Sequence, residues 1–135
     1  MQTLGVHHLG LAVPDLDAAV DTYTRLLGAR IEHRAVVADQ GVEAASLLVG
    51  GTRVELLAPT GEDTPVGRFL AKRGPGMHHV AYEVDDVAAE LERLSGIVEL
   101  VDASPRRGLY GLQVAFIHPG SVHGVLTELV AHEQK

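Results

Sequence analysis

Apolar and polar residues alternate along Val6-His7-His8-Leu9-Gly10-Leu11-Ala12-Val13 and again along Met77-His78-His79-Val80-Ala81-Tyr82-Glu83-Val84, the two-residue period of a strand. A helix-start signal follows each run at once: Pro14-Asp15-Leu16-Asp17 and Asp85-Asp86-Val87. The period then changes. Leu16, Val20, Tyr23 and Leu27 recur at helical spacing between Asp15 as cap and Gly28 as stop, and Val87, Leu91 and Leu94 do so before Gly96. Strands are predicted at 29–37, at 42–49 and at 52–57, with a turn at 38–41 and a hairpin through Gly50-Gly51. Thr64-Pro65 predicts a short helix through Phe69 and Leu70 to about Arg73, which Gly74-Pro75-Gly76 breaks. The second part repeats the order: a strand at 97–101, a basic glycine-containing loop at 104–111, a strand at 114–117, a turn at His118-Pro119-Gly120, a final strand at 124–130 and a tail at 131–135 expected to fray.

The two histidine runs superpose at an offset of 71 residues. Val54-Glu55-Leu56-Leu57-Ala58 falls on Thr127-Glu128-Leu129-Val130-Ala131 at an offset of 73. The chain therefore reads as one unit built twice, residues 1–73 and 77–135 joined by 74–76 within a single α+β domain. Each half runs from a histidine strand through a helix to a carboxylate strand.

Composition narrows the function classes. The 135 residues suit one compact domain, and the 46% hydrophobic content suffices for a core. No apolar run approaches a membrane span, and Met1-Gln2-Thr3-Leu4-Gly5 lacks the form of a signal peptide, so a cytoplasmic protein without membrane partners is expected. The absence of cysteine excludes disulfide and thiolate chemistry. A formal charge of −7 and 4% aromatic residues argue against a nucleic-acid partner.

Alternation places His8, Gly10 and Ala12 on one face of the first strand, and His79 and Ala81 on one face of its repeat. Small neighbours leave these faces room for a ligand, with His7 and His78 turned away. Two imidazoles, from His8 and His79, and two carboxylates, from Glu55 and Glu128, suit a borderline divalent ion. Each of the four alone would be an ordinary core histidine or strand-edge charge; their recurrence at matching places selects the metal reading. Arg106 and Arg107 allow two readings: solvated loop charge, or a fork for a phosphate or carboxylate of a substrate.

With these residues in place, the chain resembles the vicinal oxygen chelate superfamily, and within it the methylmalonyl-CoA epimerases. The resemblance rests on His8-Leu9-Gly10-Leu11-Ala12-Val13, Gln40-Gly41-Val42, Arg53-Val54-Glu55-Leu56-Leu57-Ala58-Pro59 and Phe69-Leu70-Ala71-Lys72-Arg73-Gly74. It continues through His78-His79-Val80-Ala81-Tyr82-Glu83-Val84-Asp85-Asp86, Pro105-Arg106-Arg107-Gly108, Phe116-Ile117-His118-Pro119 and Gly124-Val125-Leu126-Thr127-Glu128-Leu129. It implies two paired βαβββ modules forming a half-open cup around a divalent metal, Co²⁺ ahead of Zn²⁺, Mn²⁺ and Ni²⁺. The ligands it implies are His8, Glu55, His79 and Glu128, with glutamine in place of Glu55 in some relatives. It also implies an acyl-CoA thioester substrate and a homodimer. One departure is plain. Part of the family has a glutamate as acid/base four places after the glutamine of Gln40-Gly41, where this chain has Ala44.

The implied reaction interconverts (2R)- and (2S)-methylmalonyl-CoA by removing the C2 proton to give an enolate and returning it on the other face, which needs two acid/base groups or one mobile group. Glu128 is one candidate, through its unligated oxygen, and a metal-bound water is another. Glu43 is a weaker one, since a regular strand turns it to the face opposite Ala44 unless a bulge intervenes; His118 reads as a turn residue. Two rivals share the fold: a glyoxalase I-like lyase, disfavoured by His118-Pro119 where glyoxalases tend to carry an acidic-Pro-Asp-Gly turn, and a metal-free binder of small molecules such as antibiotics, in which buried charged groups would go uncompensated.

Overall fold

The computed structural model describes residues 3–132; the expected fraying of the tail concerns residues that lie in part outside this range. Among the described residues are eight strands and three α-helices: β1 (Gly5–Ala12), α1 (Leu16–Leu27), β2 (Arg30–Val37), β3 (Val42–Val49), β4 (Thr52–Pro59), α2 (Pro65–Arg73), β5 (Gly76–Glu83), α3 (Val87–Leu94), β6 (Arg106–Arg107), β7 (Gln113–Ile117) and β8 (Thr127–Ala131). No helix among them is long and apolar enough to cross a membrane. The fold is mixed α+β and divides into two compact units. One is His8–His78; in the other, residues 79–132 are joined by residues 3–7.

In the His8–His78 unit the strands run in the order β2-β3-β4-β1. Asp15 caps α1 by accepting from the Ala18 N–H at 3.1 Å, and Gly28 ends it in the left-handed conformation that favours glycine (φ 65°). The helix covers one sheet face, where Leu16 and Val20 pack on Ala45, Leu47, Val54, Leu56 and Ala58. Leu47 and Leu56 are fully buried, each contributing about 1.5–3 kcal/mol. Because α1 and the β2–β3 hairpin separate β1 from β4, these two pair in parallel, with Gly10 beside Glu55. Thr64 caps α2 by accepting from the Gly67 N–H at 3.0 Å.

The other unit follows the same logic, with strand order β5-β8-β7-β6. Asp86 caps α3 by accepting from Ala89 at 3.1 Å. Val87, Leu91 and Leu94 pack on Ala115, Ile117, Leu129 and Ala131, and β5 pairs in parallel with β8, with Ala81 beside Glu128. The strand expected at 97–101 is not a full one. Only isolated bridges form there, Val98 to Ser95 and Leu100 to Ile117, and the Asp102 carboxylate then takes the Phe116 N–H at 2.9 Å. A side chain thus occupies a backbone donor of β7, and the edge strand resumes only at Arg106–Arg107, inside the expected loop.

Candidate metal and acyl-thioester site

In the His8–His78 unit, the face of the sheet away from α1 carries His8, Gly10, Ala12 and Glu55. Gly10 has no side chain to stand between its register partner Glu55 and the preceding inward residue, His8. The Glu55 Oε2 accordingly reaches to 3.4 Å from the His8 Nε2, with the imidazole 4% and the carboxylate 13% exposed. The other unit repeats the arrangement. Ala81 is the small residue beside Glu128, and the Glu128 Oε1 stands 3.6 Å from the His79 Nε2, the two side chains 3% and 5% exposed. Phe116 lies opposite Glu128 across the β7–β8 ladder and meets the His79 ring edge-on at 5.5 Å.

This donor set fits a divalent cation. Separations of 3.4 and 3.6 Å exceed those of good N–H···O bonds, whereas two donors bound to one ion at about 2.1 Å stand roughly 3 to 3.5 Å apart. Burial of a carboxylate calls for a compensating positive charge, and nitrogen with carboxylate oxygen suits the borderline metals.

The remaining sequence candidates fall in different places. Arg106 pairs with Asp102 at 3.0 Å and stands over the Phe116 ring at 6.0 Å. Arg106 and the exposed Arg107 line a cavity of about 200 Å³ together with Pro105, Gly111, Leu112 and Gln113. Tyr110, beside this cavity in sequence, is held at φ 65°. Glu43 is turned the other way. The β3–β4 register runs without a shift from Val42 to Val49, so Glu43 shares the α1 face with Ala45 and Leu47. There it pairs with Arg34 at 3.2 Å, which also meets Asp17 of α1 at 2.7 Å. No bulge brings Glu43 to the face of Glu55, and the expectation that it could reach the reacting group is not met by this geometry.

Comparisons with known proteins show the family of this chain. The profile of the Glyoxalase/Bleomycin resistance protein/Dioxygenase superfamily matches residues 7–116. The chain is 39% identical over 127 residues to the ethylmalonyl-CoA/methylmalonyl-CoA epimerase of Cereibacter sphaeroides, covering 92% of this chain and 95% of that one. The chain belongs to the glyoxalase/bleomycin resistance protein/dioxygenase superfamily. Among solved structures of the superfamily, the methylmalonyl-CoA epimerase of Mycobacterium tuberculosis superposes with a TM-score of 0.92 at 40% identity, over 98% of this chain and 90% of that one. A methylmalonyl-CoA epimerase in complex with methylmalonyl-CoA and NH₄⁺ superposes with a TM-score of 0.92 at 39% identity, over 97% and 96%.

Two further histidines of this superfamily chain are structural. His118 accepts the Gly120 N–H on its Nδ1 at 3.0 Å, closing the turn that the sequence predicted. His78 meets Phe69 of α2 edge-on at 5.0 Å, and burial pushes its pKa down to about 4, so it is neutral at neutral pH.

Sequence reasoning missed a polar group beside Glu55. Between Ile31 and His33 the β2–β3 register shifts, and the extra residue, Glu32, accepts from the Ser46 hydroxyl at 3.0 Å and from the Arg53 Nε at 2.8 Å. Arg53 was readable, since it shares the alternation of Glu55. The bulge was not, because a register shift depends on the partner strand.

Proposed function

We propose that this chain epimerises methylmalonyl-CoA at C2, interconverting the 2R and 2S thioesters. The observation that carries this reading is the doubled, buried imidazole–carboxylate pair in a chain with 39% identity to an ethylmalonyl-CoA/methylmalonyl-CoA epimerase. His8, Glu55, His79 and Glu128 are assigned as ligands of one divalent cation; the internal repeat and the resemblance to the epimerases support the assignment. When bound, the cation supplies Lewis-acid stabilisation of the negative charge that develops on the thioester oxygen.

The C2 proton lies between a thioester and a carboxylate, so its removal leaves a delocalised enolate. Glu128 is given the proton transfer: its carboxylate is buried and held in place by β8 against Phe116, and its second oxygen takes the proton from one face of C2. Glu43 is given no part, because it faces α1 and is paired with Arg34. With alanine at position 44, the proton returned to the other face is drawn from solvent.

The cavity at Arg107 is assigned to an anionic group of the CoA moiety, since a guanidinium presents a donor fork to phosphate oxygens. Arg107→Ala is expected to raise KM with little change in kcat, the signature of lost uniform binding, in steady-state kinetics. Family resemblance also supports a homodimer in the cytoplasm.

The function is tested by incubating (2S)-methylmalonyl-CoA with the protein in deuterated water. Loss of optical purity with one deuterium at C2 is expected. Absence of both exchange and interconversion would overturn the reading, and turnover of a glutathione hemithioacetal in their place would assign a glyoxalase I-like lyase.

A further inference from the structure

We propose that Asp102 is a positioning residue for the His79 imidazole, acting through Phe116, an inference that rests on His79 being a metal ligand. All of these groups belong to the unit of residues 79–132. Three observations lead to it. First, β6 pairs with β7 only at Gln113 and Val114, so Phe116 lies beyond the end of that ladder. Its N–H donates to the Asp102 Oδ2 at 2.9 Å, and its carbonyl accepts the Val101 N–H at 2.9 Å. Second, the other oxygen of the same carboxylate stands 3.0 Å from the Arg106 Nε, with the Asp102 side chain 13% exposed, and the Arg106 guanidinium lies over the Phe116 ring at 6.0 Å. Third, the Phe116 ring meets the His79 ring at 5.5 Å with an interplanar angle of 89°.

The N–H and carbonyl of one residue point to the same side of a strand. Those of Phe116 are taken up by residues 101 and 102, away from β8, so its pairing with Glu128 is of the kind without hydrogen bonds, in which facing side chains stand closest. The Phe116 side chain thus shares its face with Glu128 while meeting His79. The Asp102 carboxylate holds it twice: one oxygen engages its backbone, and the other engages the cation that lies over its ring. An imidazole that can turn binds a metal more weakly than one already aimed at it, since a preorganised donor loses less freedom on binding. Phe116 limits that turning, and Asp102 limits Phe116.

The test is a chelator-competition titration of the full chain with Co²⁺ or Zn²⁺, followed in parallel with thermal melts. Asp102→Ala is expected to weaken cation affinity about 10-fold, the lower end of what ligand-orienting groups contribute, because it acts through an intervening ring. Phe116→Leu, which keeps most of the apolar bulk and removes the ring, is expected to weaken it by a similar factor. Combining the two is expected to add nothing to the loss in Phe116→Leu, the non-additivity of groups that act in one chain. Unchanged affinity in either single variant overturns the proposal, and so does a combined loss equal to the product of the two separate ones. If Asp102→Ala does not fold, Asp102→Asn, which leaves an acceptor for the Phe116 N–H but no charge for Arg106, takes its place under the same criteria. His79→Ala is titrated alongside. Unchanged affinity there overturns the ligand assignment itself, whereas lost affinity there with normal Asp102→Ala overturns the positioning role alone.

Discussion

His79→Ala is expected to abolish both high-affinity cation binding and epimerisation. The imidazole is 3% exposed, faces Glu128 at 3.6 Å and meets Phe116 edge-on at 5.5 Å, so the substitution removes the nitrogen that stands beside the Glu128 carboxylate. Lewis-acid stabilisation is worth several kcal/mol, which corresponds to a loss of about a thousandfold or more in turnover. Metal content after dialysis, cation titration and the racemisation assay together read the result. Chelation should silence the wild-type chain in the same way, and added Co²⁺ should revive it but not His79→Ala. A His79→Ala variant that keeps both its cation and its turnover would remove the basis of the site assignment.

Glu128→Gln separates the two roles given to Glu128. The amide keeps the size of the side chain and one carbonyl oxygen for a cation, so a folded, cation-binding protein is expected. The amide cannot take the C2 proton. Turnover is expected to fall about 10²- to 10⁴-fold, the usual contribution of a positioned acid/base group. kcat and kcat/KM should fall together, as when an interaction made only in the transition state is removed, and C2 deuterium exchange should fall with them. Activity within tenfold of wild type in the cation-loaded variant would mean that another group moves the proton.

Much of this was legible in the residues. The double histidine repeat set the inward face of both histidine strands, because a strand's period of two ties His8 to Gly10 and His79 to Ala81; their parallel pairing with the carboxylate strands appears only in the structure. The caps Asp15, Thr64 and Asp86 likewise act within three residues of their helices, a range that sequence exposes directly. What was not legible depended on partners distant in sequence. The bridge of Leu100 to Ile117 and the capture of the Phe116 N–H by Asp102 shortened an expected strand. The register shift at Glu32 likewise arises only when β2 meets β3. The fate of Glu43 was foreseeable in part: alternation turned it from the site, but only the unbroken β3–β4 register excludes the bulge that would have returned it.

The grouping of residues 3–7 with residues 79–132 bears on how the molecule would come apart. The Leu4 amide donates to the Glu83 carbonyl at 2.9 Å, so residues 3–7 are stitched into a unit that is synthesised only after residues 8–78. During translation they must wait for that unit to emerge. Cleavage that released residues 3–7 would accordingly loosen the unit of residues 79–132, with His79 and Glu128 in it.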